Sequence, residues 1–207
     1  MSKINKILVV ATGDLPNKSE GASTTVFYHF INYLLKKKNN IYLFSISQKK
    51  INNKVKKKFL NSFKNQNIKS LYTYNIKNYY NFNKFNFLFR RIETSKLDKI
   101  TIKKIYNLKP DKVFALDIAA ASFAKQIFSK KIFIWLGDLN FSTTWYHFYY
   151  NFKNNYKYFL YYFFVKIIVK KWKYFYKKTL LNNLCVSGSN ANVNELKNIG
   201  IKSIYQP

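Results

Sequence analysis

Short apolar runs and stretches of helical period take turns along this chain from Ile4 to Tyr205, and that alternation leaves few folds open. Ile4 to Ala11 is a compact, β-branched run followed by Gly13, Asp14 and Pro16, the pattern of a buried strand that ends in a turn. From Ser23 the period changes. Phe27, Phe30, Ile31, Leu34 and Leu35 recur at helical spacing, with Ser23 or Thr24 as the expected N-cap. Lys36 to Lys38 suit the negative end of that helix. Ile41 to Ile46 is strand-like again. Strand, helix, strand predicts a parallel pair joined by a right-handed crossover.

The alternation continues. A helix is expected from Lys54 to Phe63, a strand from Leu71 to Ile76, and a helix from Leu97 to Leu108 closed by Lys109-Pro110. Asn78 to Phe89 is aromatic and Asn-rich and reads as a loop. Lys112 to Leu116 is a strand ending at Asp117, and Ile118 to Phe128 a helix with small residues suited to close packing. Lys131 to Leu136 is a strand ending at Gly137-Asp138. After a long aromatic and basic stretch come a short strand from Leu184 to Val186, a helix from Asn190 to Ile199 with Gly200 as its C-terminal cap, and a last strand from Ile201 to Tyr205. The expected fold class is α/β: a Rossmann-like open parallel sheet with helices on both faces, one domain over residues 1–207. Such sheets bind ligands at the carboxyl ends of their strands. Here those ends carry Thr12-Gly13-Asp14, Asp117, Gly137-Asp138 and Ser187-Gly188-Ser189.

Several chemistries are excluded. Gly13 and Gly21 are too far apart for a dinucleotide fingerprint, and no Walker-type phosphate loop is present, which argues against NAD enzymes and P-loop ATPases. His29 and His147 lack the neighbours of a metal site, so no metal or other cofactor is expected. Cys185 is alone, which forbids an intramolecular disulfide and suits a buried structural thiol. Gly21-Ala22 stands just before a helix, either as a backbone cradle for an anion or as a plain turn. Asp138 either orients or deprotonates a substrate hydroxyl or caps the next turn. For Asp117 a cap is the expected role. Ser187 and Ser189 are candidates for phosphate or sugar contacts, with Ser189 also the expected N-cap of the following helix.

The order of these elements resembles the N-terminal domain of GT-B glycosyltransferases of the family-4-like group. Lys6 to Val10, Pro16 and Gly21-Ala22 resemble that family's first strand, Gly-rich loop and first helix. Leu108-Lys109-Pro110-Asp111-Lys112-Val113 resembles its Lys-Pro-Asp segment before the fourth strand. Lys131 to Asp138 resembles the strand that usually ends in His-Asp, and Leu184-Cys185-Val186-Ser187 its Val-Ser strand. Glu195-Leu196 to Gly200, then Ile204 to Pro207, resembles the lead into the second domain. Two positions depart from the family. Glu20 precedes Gly21 where paired glycines are common, and Gly137 stands where a His is common, leaving Asp138.

The resemblance implies transfer of a hexose, with retention and without a required metal, from a nucleotide-sugar donor to a glycan or lipid-linked acceptor, as in cell-envelope polysaccharide synthesis. Gly13, Gly21, Ala22, Asp117 and Ser187 would lie near donor or substrate, and Asp138 near the acceptor. The family's donor-binding second domain is not in this sequence, so a separate chain carrying it is an expected partner and the 207 residues alone are expected to be inactive. A non-catalytic binding remnant or half of a split enzyme is the first alternative reading, and a basic nucleic-acid-binding α/β protein the second.

The net charge is +29, from 37 Lys and Arg against 8 acidic residues, and it draws a chain toward polyanions. Lys, Asn, Ile, Phe and Tyr also share A/T-rich codons, so genome composition is a competing source of the surplus. No helix-turn-helix, zinc-finger or RNP-type motif is present, and nucleic acid is not an expected partner. Met1 to Lys6 leads straight into a strand, without a signal peptide, and Tyr158 to Val165 is too short an apolar run to span a bilayer, which points to the cytoplasm. Treated as a helix, Tyr156 to Lys178 puts Lys166, Lys170, Lys173 and Lys177 on one stripe and Tyr161, Phe164, Ile168, Trp172 and Phe175 opposite. That pattern fits either a core helix with solvated lysines or an interfacial helix on the inner, anionic face of a membrane.

Overall fold

The computed structural model describes residues 4–18, 22–47, 50–63, 68–76, 96–155 and 158–206. One sheet organises them. Its strands are β1 (Lys6–Thr12), β2 (Asn40–Ser47), β3 (Ile68–Asn75), β4 (Lys112–Leu116), β5 (Phe133–Leu136), β6 (Leu184–Ser187) and β7 (Ser203–Tyr205). They lie in the order β3-β2-β1-β4-β5-β6-β7, and every neighbouring pair is parallel. The Rossmann-like open sheet expected from the sequence is therefore present. The helices are α1 (Ala22–Lys36), α2 (Asn53–Ser62), α3 (Lys99–Tyr106), α4 (Ile118–Ile127), α5 (Asn140–Phe152), α6 (Tyr158–Leu180) and α7 (Asn190–Asn198).

Strand alternation sorts the core into two layers. Ile7, Val9 and Ala11 of β1 join Ile41 and Leu43 of β2 beneath α1 and α2, where Phe27, Ile31, Phe59 and Phe63 are buried. Leu8 and Val10 face the other way and join Val113, Ala115, Ile134 and Leu136 under α4 and α6. The small residues of α4 do what close packing demands: Ala120, Ala121 and Ala124 are wholly buried against that layer. At the amino edge Asp111 ties β4 to β1, accepting from the Lys6 amide at 2.7 Å and donating its own amide to the Lys6 carbonyl at 2.8 Å.

Two expectations need correction. α1 opens at Ala22, so Ser23 and Thr24 lie in its first turn and neither is its cap. The helix expected over Tyr156 to Lys178 is present as α6, and a second helix, α5, precedes it in the aromatic and basic stretch. Trp145 of α5 meets Tyr162 of α6, Phe148 meets Tyr158, and Phe141 meets Tyr176, a pairing that makes α5 and α6 an antiparallel hairpin. Trp172, expected on a membrane surface, is only 7 % exposed; with Ile168, Phe175 and Tyr176 it seats the second half of α6 in the core. The aromatic loop from Asn78 to Phe89 lies outside the described residues.

Candidate functional site

In the strand order, β1 lies between β2 and β4, and the direction in which successive strands are added reverses there. A parallel sheet leaves a crevice at the carboxyl ends of the strands on either side of such a reversal. Here that crevice is walled by Thr12 at the end of β1 and Asp117 just past β4.

Asp117 is the most constrained side chain of the edge. It caps α4, with Oδ1 accepting from the Ala120 amide at 2.6 Å, while the Thr12 hydroxyl donates to Oδ2 at 2.5 Å. The capping role expected of it is thus present. Its backbone is less expected: φ 129° and ψ 176° place it in a region that side chains rarely tolerate. Holding a non-glycine residue there costs about 1–3 kcal/mol, and such strain gathers at functional positions. The residue keeps part of its surface, but protein encloses the carboxyl group. Burial pushes its pKa up to about 6, against the opposing pull of the bonds from Ala120 and Thr12. The enclosed carboxyl group therefore changes protonation near pH 6 while bonded to the Ala120 amide and the Thr12 hydroxyl.

Gly13 follows Thr12 with φ 87°, a left-handed conformation, and its amide donates to the Ile46 carbonyl at 3.0 Å. Glycine is needed there for the backbone turn and not for space, since a Cβ at this position would meet nothing within 4 Å. Gly21 falls outside the described residues, and Ala22 is the first residue of α1.

Asp138 stands on the same edge, in the turn from β5 to α5, and it is exposed. The cap position of α5 belongs to Leu139, which makes no side-chain cap bond, so Asp138 does not serve that helix as its cap. Gly137 beside it has half-buried, ordinary backbone, and a Cβ there would only touch the Trp135 ring at 3.4 Å. Beneath these loops lies Tyr176 of α6, a buried phenol whose oxygen accepts from the Asn140 amide at 3.1 Å. Burial, and then the charges of Asp117 and Asp138, hold its pKa above the usual phenol value.

Ser187 ends β6 and is fully buried, so its hydroxyl reaches no ligand surface. Its Oγ accepts from the Ser189 amide and from Asn192 Nδ2, both at 3.4 Å. Asn192 Nδ2 also donates to the Gly137 carbonyl at 2.8 Å, tying the β5 and β6 loops together. Ser189 caps α7 as expected, accepting from the Asn192 amide.

Thr12 stands at a strand end flagged by the sequence, whereas Tyr176 and Asn192 carry no motif. Their roles depend on which strands and helices become neighbours, and residue spacing holds no sign of that. On α6, Lys166, Lys170 and Lys177 are exposed, whereas Lys173 is half-buried with its ammonium 5.5 Å from the Phe141 ring centre. Among the described residues no helix is long and apolar enough to cross a membrane. No family model matches the chain, and a search of curated proteins finds no match.

Proposed function

We propose that this domain is the acceptor-side half of a GT-B glycosyltransferase, acting on a nucleotide-sugar donor and a glycan or lipid-linked hydroxyl acceptor. The observation that carries the reading is the company Asp117 and Asp138 keep. Both stand at the carboxyl edge of a parallel sheet, one desolvated with its pKa near 6 and the other exposed and not spent as the α5 cap. The order of sequence segments that resembles the family runs through the same loops.

In this reading the acceptor oxygen attacks the anomeric carbon as the bond to the donor diphosphate breaks. Asp138 orients the acceptor hydroxyl or receives its proton. The left-handed turn at Gly13 and the strained backbone at Asp117 line the crevice toward the donor.

Amide NMR of residues 1–207 during titration with nucleotide-diphosphate sugars and soluble glycans tests it. Perturbations at Gly13, Asp117 and Asp138, weakened by Asp138→Asn for glycans, are the expected result. Titrations that leave all three amides unmoved overturn the reading.

A further inference from the structure

The outward side of the first half of α6 has no core to pack against, yet it is rich in large apolar side chains. Phe159 is 82 % exposed, Phe163 66 % and Ile167 49 %, and Tyr174 is exposed further along. Their spacings of four, four and seven put them on one stripe of the helix. Lys166, Lys170 and Lys177 flank that stripe and are exposed with it, and Lys178 borders its other side. The side facing away from the lysines, where Ile168, Trp172 and Phe175 lie, is core. The water-facing surface of α6 is therefore itself amphiphilic, with apolar side chains between cations. Next to it, between α5 and α6, runs a groove of about 500 Å³ lined by Phe141, Trp145, Lys166, Lys170, Lys173 and a single carboxylate, Glu195.

We propose that the α5–α6 hairpin docks on an anionic phospholipid bilayer. Phe159, Phe163 and Ile167 enter the boundary between headgroups and acyl chains, and Lys166, Lys170 and Lys177 face lipid phosphates. Charge complementarity selects this occupant. A second copy of the chain would bring a net charge of +29 against +29. A nucleic acid would meet the lysines but offer no apolar phase to Phe163 and Ile167. Apolar area together with basic side chains is what holds interfacial helices on anionic membranes. The inference does not depend on the glycosyltransferase reading.

The test is co-sedimentation of the full 207-residue chain with phosphatidylglycerol-containing vesicles and with pure phosphatidylcholine vesicles, at low and high salt. Binding is expected with the anionic vesicles only, and weaker in salt. Changing Lys166, Lys170 and Lys177 together to Gln is expected to lower partitioning about a hundred-fold, roughly five-fold for each lysine. Changing Phe159, Phe163 and Ile167 together to Ser is expected to lower it further, with the urea midpoint unchanged because all three are exposed. Should that triple variant fold poorly, Phe163→Trp decides instead: brominated lipid should quench its added fluorescence. The proposal is overturned if the chain stays in the supernatant with anionic vesicles at low salt. It is equally overturned if binding survives loss of the apolar stripe, if the Phe163→Trp signal is not quenched, or if the stripe serves only to pair two copies of the chain.

Discussion

Replacing Asp117 by Asn should stabilise the protein, and by an amount that depends on pH. The carboxyl group ionises in the folded chain near pH 6 against 3.8 for the free group, a gap of roughly two pH units that corresponds to about 3 kcal/mol. Because the folded value is the higher one, the folded protein holds this proton longer than the unfolded chain does. The contribution is complete below about pH 4 and is lost as pH rises through about 6. Asn keeps the cap, since its Oδ1 can accept from Ala120 as the carboxylate does. Its amide can donate to the Thr12 hydroxyl, which then turns to act as acceptor. Backbone strain at φ 129° is common to both side chains and cancels. The Asn variant should therefore match the parent near pH 4 and exceed it by up to about 3 kcal/mol at neutral pH. Urea unfolding of both proteins across that window measures the difference, with every other titrating group cancelling between them. A variant less stable than the parent at neutral pH, or a difference that does not change with pH, refutes the reasoning.

Trp172→Ala should cost about 3–5 kcal/mol in urea unfolding, as for any large aromatic removed from a core, whereas a side chain on the water-facing surface would cost almost nothing. Cys185 is fully buried, with burial pushing its thiol up to about 11, so a disulfide reagent should leave it unlabelled near neutral pH until the protein unfolds. Residues 1–207 supply one wall of a two-domain cleft in the proposed reading, so a radiolabelled-sugar assay should detect no transfer by them alone; steady turnover without a partner would sink that reading.

The strands and most helices are legible in the sequence because their signals are local. Lys112 to Leu116 is bounded as expected, and Asp117 and Ser189 cap the helices that follow them. The start of α1 differs from expectation by two or three residues because Ser and Thr suit a first turn as well as a cap position. The faces of α6 are harder. Ile168, Trp172 and Phe175 share a helical stripe with Tyr161 and Phe164, so periodicity alone shows one continuous apolar face. In the structure that stripe is core only from Ile168 onward; Tyr161 and Phe164 stay exposed. The apolar stripe among the lysines is hidden in the sequence because Lys166 and Lys170 make that side look purely basic. Asp138 stands out by its place after a strand, but only the turn geometry decides whether it caps the next helix.

α6 joins the two surfaces of interest. Its core half carries Tyr176, whose hydroxyl holds the first amide of α5 and lies within the electrostatic reach of Asp117 and Asp138. Its outer half carries Phe159, Phe163 and Ile167. Asp138 precedes α5 by two residues, so α5 starts at the carboxyl edge of the sheet, and the Tyr176 hydroxyl ties α6 to that start before α6 runs on to the amino end of β6. A bilayer that captured the hairpin would therefore hold that edge at a fixed orientation to the lipid surface, through a rigid helix rather than a tether. In the proposed glycosyltransferase reading, an acceptor anchored in the same bilayer would then be confined to two dimensions beside Asp138, which raises its effective concentration without any new contact. Moving the lysines or the exposed apolar residues of α6 should change how fast a membrane-borne acceptor is met, and leave the encounter with a freely dissolved one unaltered.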